Sequence, residues 1–214
     1  MNVKLIRYTT DADPLAQLAA GICTRHEPTE RGMQRAMDSG HESILEHSSF
    51  TFLVEDVSRV LLAQITRHRL ASFSVESQRY VSYKDGLEYV IPPGITALGA
   101  EYVAKYVAQM EQMHAWYNEW TVLLGGGQAA REDARFVLPG ATSTRYLVTM
   151  NGRELRHFFS MRVCNRAQWE IRSVAREMLK QCKEVAPMMF ADAGPGCVRG
   201  ACPEEKPCGK QVNV

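Results

Sequence analysis

The side chains best able to do chemistry crowd into one run, Gln64-Ile65-Thr66-Arg67-His68-Arg69-Leu70-Ala71-Ser72-Phe73-Ser74-Val75-Glu76-Ser77-Gln78-Arg79-Tyr80. Arg67, His68 and Arg69 fall at the expected end of a helix. Ser74, Ser77, Gln78 and Arg79 follow on an extended stretch. Guanidinium, hydroxyl and amide donors so close together suit a phosphate and the edge of a heterocycle. The plainer alternative is that the three basic residues occupy a last helical turn, where the dipole favours cations. Two arginines flanking His68 would repel a metal ion, so His68 is not expected to ligate one.

A second cluster lies further on. The pattern predicts one long helix over 152–185. On a wheel of ~100° per residue, Phe158, Phe159, Arg162, Arg166 and Trp169 all fall within ~60° of Leu155. Two arginines thus sit inside an apolar stripe, and a guanidinium on a buried face is costly unless paired. Either Glu170, four residues after Arg166, supplies the partner, or a ligand does. Asn151, Arg153 and His157 open the same helix, the last two sharing a face, and a helix start with such donors suits an anion or an amide-bearing ring. In His41-Glu42-Ser43-Ile44-Leu45-Glu46-His47 the histidines are six apart, which excludes the H-E-x-x-H zinc pattern. Ser43 with Glu46 fits a capping box. Gly125-Gly126-Gly127 follows a helix rather than a strand, so it reads as a helix stop and not as a dinucleotide fingerprint.

The elements that must position these groups alternate irregularly. Strands are expected at 3–8, 50–54, 89–91 and 142–150. Helices are expected from Asp13-Pro14 (Asp as N-cap, apolar face Leu15, Leu18, Ala19, Ile22), over 29–39, after Ser58, over 97–124 and over 128–136. Without regular βαβ units this is an α+β fold. One mixed domain over 1–190, with a central antiparallel-type sheet and long helices, is followed by a Gly/Pro/Cys-rich tail over 191–214.

Composition sets the outer limits. The chain has 214 residues, 45% hydrophobic and 23% charged, which is enough to bury a core without disulfides. The formal net charge of +1 gives no global field toward nucleic acid or an anionic membrane. No apolar run approaches the ~20 residues of a membrane span. The first residues read as a strand without a secretory h-region, so the expected location is cytoplasmic. Eighteen of the 25 basic residues are arginine. That bias suits planar recognition of phosphate or carboxylate, although genomic base composition produces it equally.

Arg67-His68-Arg69, seven residues and then Ser77 resembles the signature of the flavin-dependent thymidylate synthases, the ThyX family. His41-Glu42-Ser43 with Glu46-His47, Arg135 in Ala134-Arg135-Phe136-Val137-Leu138-Pro139, Asn151-Gly152-Arg153 and Ala167-Gln168-Trp169-Glu170 follow in that family's order. The likeness covers about residues 1 to 190. It implies a homotetramer with sites built from more than one subunit, binding FAD and dUMP. NADPH reduces the flavin, and the methylene of methylenetetrahydrofolate passes to C5 of dUMP, giving dTMP and tetrahydrofolate.

By the same resemblance Gln64, Arg67, Ser77, Gln78, Arg79, Arg135 and Arg162 look like dUMP contacts. Ser43, Arg67, His68, Arg69, Asn151, Arg153 and His157 look like FAD contacts. Arg162 resembles the family's activating arginine, a permanent cation beside the uracil N3/carbonyl edge that stabilises negative charge in the ring. No protein nucleophile is then required and no metal is implied. Ser77 lacks an activating base. On a continuous helix Cys164 would point ~200° from Arg162.

The chain departs from the family at Val75, where relatives carry Glu or Gln. Either the adjacent Glu76 takes that place or the contact is missing. Arg166 stands where relatives often have His. In the tail, Cys197, Cys202 and Cys208 read either as incidental thiols or, with Cys182, as a metal clip, though their spacing is not that of zinc knots. The rival class is an arginine-rich RNA-binding protein, which requires basic residues spread over an accessible face and salt-sensitive binding. Deletion of the residues after Pro195 should leave FAD binding and turnover in place. Loss of bound FAD on truncation would instead make the tail part of the enzyme.

Overall fold

Phe50, Phe52 and Val54 are fully buried while Thr51 and Leu53 between them are not. This period-two pattern makes a half-buried strand. In the computed structural model, which describes residues 1–210, the elements in chain order are β1 (Asn2–Tyr8), α1 (Ala12–Thr24), α2 (Glu30–Asp38), β2 (Ser49–Ser58), α3 (Arg59–Ile65), β3 (Ala71–Val75), the four-residue α4 (Pro93–Thr96), α5 (Ala100–Leu123), α6 (Gly127–Ala134), β4 (Ser143–Asn151), α7 (Gly152–Arg162) and α8 (Trp169–Val185). The final residues of the expected tail, 211–214, lie outside the described residues. The strands form one sheet in the order β1-β2-β4-β3. The Thr51 and Thr149 hydroxyls meet at 2.9 Å, while the Arg59 N–H donates to the Thr142 carbonyl at 3.1 Å. One number rises as the other falls, so β2 and β4 run antiparallel.

Contacts group the chain into two compact units. One comprises Met1–Val54, Ile65–Phe73 and the described chain from Leu147; the other comprises Glu55–Gln64 and Ser74–Tyr146. In the first, an aromatic chain forms the core. Phe50 meets Phe190 edge-on at 5.4 Å, Phe190 meets Phe159 at 5.9 Å, and Phe159 meets Phe158 at 5.7 Å. Val148, Met150, Leu155, Ile171, Val174 and Met178 are also buried. Each such side chain contributes about 1.5–3 kcal/mol by leaving water. Gln181 on α8 clamps β1, accepting from Leu5 N–H at 2.6 Å and donating to the Val3 carbonyl at 2.9 Å.

In the second unit Tyr83 packs edge-on against Tyr117 at 5.7 Å, with Ala134, Val81, Leu87, Val137 and Leu138 around them. α5 has 24 residues but buries only Met110 and Tyr117. Trp116, Trp120, Val122 and Leu123 stay exposed on it, and Phe136 beyond α6 is 84% exposed.

Several sequence expectations are corrected. Asp13 is not the N-cap of α1: Asp11 holds that position with φ 54° and no side-chain cap. Asp13 is buried and accepts from the Met188 and Met189 N–H groups at 2.8 and 2.9 Å. The face of α1 that enters the core is Ala12, Ala16 and Ala20, leaving Leu18 and Ile22 exposed. The apolar pattern of α1 fits either face, and only packing chooses between them. The expected strand at 89–91 is an isolated antiparallel bridge from Tyr89 to Thr142.

The helix expected over 152–185 is two helices. Gln168 caps α8, its side chain accepting from the Glu170 and Ile171 N–H groups, and Arg172 donates back to the Asn165 carbonyl at 2.7 Å. No glycine or proline marks the break, so the pattern reads through it. Among the described residues no helix is long and apolar enough to cross a membrane.

Arg156 is the buried arginine that the wheel overlooked, with a side chain only 4% exposed. It donates to Glu42 at 3.1 Å, to both Asp192 oxygens at 2.7 and 3.3 Å, and to the Met189 carbonyl at 2.6 Å. Burial pushes the Asp192 carboxyl up, but hydrogen bonding and the charges of Arg156 and Arg199 outweigh it and hold it below the ordinary value. Its contribution is therefore complete above the ordinary carboxylate pKa and is lost as pH falls through the lowered one. Arg156→Leu should cost roughly 3 kcal/mol in urea unfolding, since it takes the guanidinium from Glu42 and leaves Asp192 with Arg199 alone. It should also flatten the acid limb of the stability curve.

Candidate active site

The first unit assembles three of the sequence clusters around the start of α7. Asn151 caps that helix, its Oδ1 accepting from Glu154 N–H at 2.8 Å. At Gly152 a Cβ would stand 2.5 Å from Met189 Sδ and 2.8 Å from the Leu45 carbonyl, so only glycine lets the helix start lie against the 3-10 turn Glu42–Leu45. Ser43 is inside that turn and caps nothing, and Glu46 makes no capping box. Glu46 instead accepts from Arg153 at 2.6 Å, across an exposed pair. Ser43 is exposed and opens on a cavity of 890 Å³ with His26, Arg31, Arg35 and His41.

Arg67-His68-Arg69 lies beyond the last turn of α3, which ends at Ile65. Arg67 and Arg69 point into solvent while His68 is 5% exposed. The His68 ring lies along α7. Its Nδ1 is 3.2 Å from Glu154 Oε1, its edge packs on Phe158 at 4.9 Å, and its Nε2 accepts from Arg162 Nε–H at 3.1 Å. An arginine Nε can only donate, so Nε2 carries the lone pair and Nδ1 carries the proton that goes to Glu154. Burial, then the charge of Arg162, then His157 lower the His68 pKa to about 4. Burial also raises the Glu154 carboxyl. Both ring nitrogens of His68 are thus engaged within the chain. His157 is exposed, its ring 6.1 Å from that of His68.

Arg162 is the last residue of α7 and lines a cavity of 280 Å³ together with Cys164, Cys197, Cys202 and Cys208. The expected 200° separation of Cys164 from Arg162 fails because the helix ends between them. Arg166 is not in an apolar stripe: it is exposed and pairs with Glu204 at 3.5 Å and with the Lys206 carbonyl. Of the two alternatives read from the sequence, Glu170 is not the carboxylate that it takes. Cys182 is buried in the core. Among the described residues no group of three or more His, Cys, Asp or Glu is placed to hold a metal ion.

In the second unit the donors converge on Glu132. Arg79 pairs with its carboxylate at 2.8 Å, and Arg135 Nε donates to its carbonyl at 3.0 Å. Arg79 Nε is buried without a hydrogen-bond partner among the described residues. Ser77 Oγ accepts from Arg79 N–H at 3.3 Å, and Gln78 hydrogen-bonds the Tyr83 hydroxyl. Gln64 is half-buried on α3. Glu76 is committed to Arg145 at 3.0 Å, so the place beside Val75 gains no free carboxylate. Arg79, Arg145, Arg153, Arg156 and Arg166 are each paired with carboxylates, so these guanidiniums do not make up the open basic face that RNA binding requires.

A family model described as "Thymidylate synthase complementing protein" matches residues 4–188. The flavin-dependent thymidylate synthase of Geobacter sulfurreducens is 43% identical, covering all of this chain and 96% of that protein. That of Nitratidesulfovibrio vulgaris is 51% identical over 78% of this chain and 70% of its own length. The chain belongs to the flavin-dependent thymidylate synthase family. The crystal structure of the Helicobacter pylori enzyme ThyX, complexed with FAD and dUMP, matches with a TM-score of 0.70 at 23% identity. It covers 91% of this chain and all of that one, which shows the shared fold.

The side chains present in this family member fit an anionic flavin nucleotide. The first unit offers two solvent-facing guanidiniums in Arg67 and Arg69, the N-terminus of an 11-residue helix and, lined by Ser43 among the candidate flavin residues, a cavity of ligand size. Glu154, Arg156 and Glu132 were missed from sequence. Only Glu154 left a trace there, lying four and eight residues before Phe158 and Arg162 on one helical stripe. Because His68 keeps a pKa near 4, its neutral Nδ1–H form should persist from pH 8 down to about 5. Nitrogen-detected NMR of the labelled ring should show no titration there. The proton prefers the unfolded chain, so this group's stabilisation is present above the ordinary 6.5 and fades toward 4.

Proposed function

We propose that the chain catalyses the reductive methylation of dUMP to dTMP. Methylenetetrahydrofolate supplies the carbon and NADPH the electrons. The balance is dUMP, methylenetetrahydrofolate, NADPH and a proton in, and dTMP, tetrahydrofolate and NADP⁺ out. Bound FAD supplies the hydride step, so the folate is not oxidised to dihydrofolate. Besides family membership, the observation that carries this reading is Arg162. It is a guanidinium pinned only through Nε, its other donors making no hydrogen bond or ion pair among the described residues. A permanent cation with a free bidentate edge suits the uracil N3/carbonyl edge. There it stabilises negative charge in the ring and makes C5 the attacking carbon.

The remaining residues bind and orient. Arg79 and Arg135 hold the dUMP phosphate, exchanging the contacts they now make with Glu132, and the partnerless Arg79 Nε gains an acceptor. Gln64, Arg67, Ser77 and Gln78 complete the nucleotide contacts. Ser43, Arg67, Arg69, Asn151, Arg153 and His157 hold FAD, with Arg153 trading Glu46 for an anion, while the His68 ring next to His157 is engaged by Glu154 and Arg162. No protein nucleophile takes part.

The enzyme works as a homotetramer in the cytoplasm, with small molecules rather than nucleic acid as its partners. Support for assembly is the apolar surface that α5 leaves in water, Trp116, Trp120, Val122 and Leu123.

The deciding experiment is the anaerobic absorption spectrum of the purified protein. A two-banded flavin spectrum is expected. It should bleach with NADPH, and dTMP should form once dUMP and methylenetetrahydrofolate are added. A colourless protein that added FAD does not reconstitute would sink the proposal.

A further inference from the structure

The stripe Glu154, Phe158, Arg162 occupies every fourth position of α7, and one side chain from the loop after α3 lies across all three. We infer that this side chain, His68, is a positioning residue that sets the direction in which Arg162 presents its guanidinium. The inference rests on the activating role of Arg162 proposed above.

The geometry makes the case. Arg162 closes its helix, so no following turn braces its long side chain. Its one hydrogen bond among the described residues is from Nε–H to His68. A guanidinium is planar, so fixing Nε fixes the plane and turns both Nη groups outward on the opposite edge. The anchor is itself immobile. The His68 ring is buried, wedged edge-on against Phe158 with the rings 81° apart, and held at its far nitrogen by Glu154.

The polarity is determined as well. The arginine accepts no hydrogen bond, so Nε2 must be bare, Nδ1 must carry the proton, and a carboxylate is the partner that selects that tautomer. The titratable groups the structure places against the ring are Glu154, His157 and Arg162, all on α7. A flavin contact alone would not need a histidine whose two nitrogens are both consumed inside the chain.

The test compares His68→Gln with His68→Asn in the full-length FAD-loaded enzyme. The glutamine amide oxygen reaches the place of Nε2 and still accepts from Arg162, whereas the asparagine oxygen reaches only the place of Nδ1. Arg162→Ala is the control. Single-turnover dTMP formation is measured beside anaerobic flavin reduction by NADPH, the KM for dUMP and the melting temperature. A misplaced group costs about 100-fold in the chemical step. The expectation is that His68→Asn loses about that factor in transfer rate, that His68→Gln recovers about tenfold or more of it, and that flavin reduction and the KM for dUMP stay within about threefold in both.

Equal transfer rates in the two variants, or losses that only track melting temperature and flavin content, would mean that His68 is structural and overturn the inference. Normal turnover in Arg162→Ala would overturn the activating role beneath it. Loss in Arg162→Ala with wild-type transfer in His68→Asn would leave that role standing and reject only the positioning.

Discussion

Arg156 sits 4% exposed with a carboxylate on each side and a carbonyl below. A guanidinium in that position is tolerated only while all of these acceptors stay in place. The requirement ties two distant stretches to α7: the turn carrying Glu42, and the turn after α8 carrying Met189 and Asp192. Gly152 then lets the helix start close on Leu45, and Asp13 binds α1 to the same turn after α8. The ends of these contacts include the 41–47 and 151–157 clusters, so one buried charge organises most of the first unit's candidate flavin residues.

Charge compensation continues outward in grades. Arg156 is fully committed. Arg79 and Arg153 pair with single carboxylates at partly exposed sites, where exchange for a ligand anion costs little. Among the described residues Arg162 has only a neutral imidazole, held in the tautomer that accepts. The gradient separates arginines that build the fold from arginines that are available to bind. A neutral anchor is also what an activating cation needs, because a carboxylate on Nε would compete with the charge that the substrate ring develops.

The second unit follows a different rule. Its core is small, two tyrosines with a few aliphatic neighbours, and its longest helix buries only two of its own side chains. Such a helix gains little from its own unit. Its exposed tryptophans and leucines are where assembly would add what the isolated chain lacks.

The sequence by itself determined the strands β1, β2 and β4, most of the helices, the cap at Ser58 and the family signature, because these are local: β-branched and aromatic runs, a hydroxyl three residues before the N–H of Leu61, a run of donors at set spacing. It also determined that Arg162 was unusual, a cation in an apolar stripe. The tertiary structure decided who partners whom. The break between Arg162 and Trp169 carries no glycine or proline, so it became visible only when Gln168 and Arg172 were seen closing it. Arg156 lay off the apolar stripe, and its carboxylates stand 114 and 36 residues away, beyond the reach of any helical spacing. Asp13 looked like a cap because a cap is the local use of an aspartate before proline, and its real acceptors' partners lie 175 residues on. His68 was legible as a motif letter, but its bridge from Glu154 to Arg162 needs a loop and a helix 86 residues apart to meet. Local hydrogen bonds are written in spacing, whereas compensation of buried charge is satisfied by whatever the folded chain brings within three ångströms, and spacing does not record it.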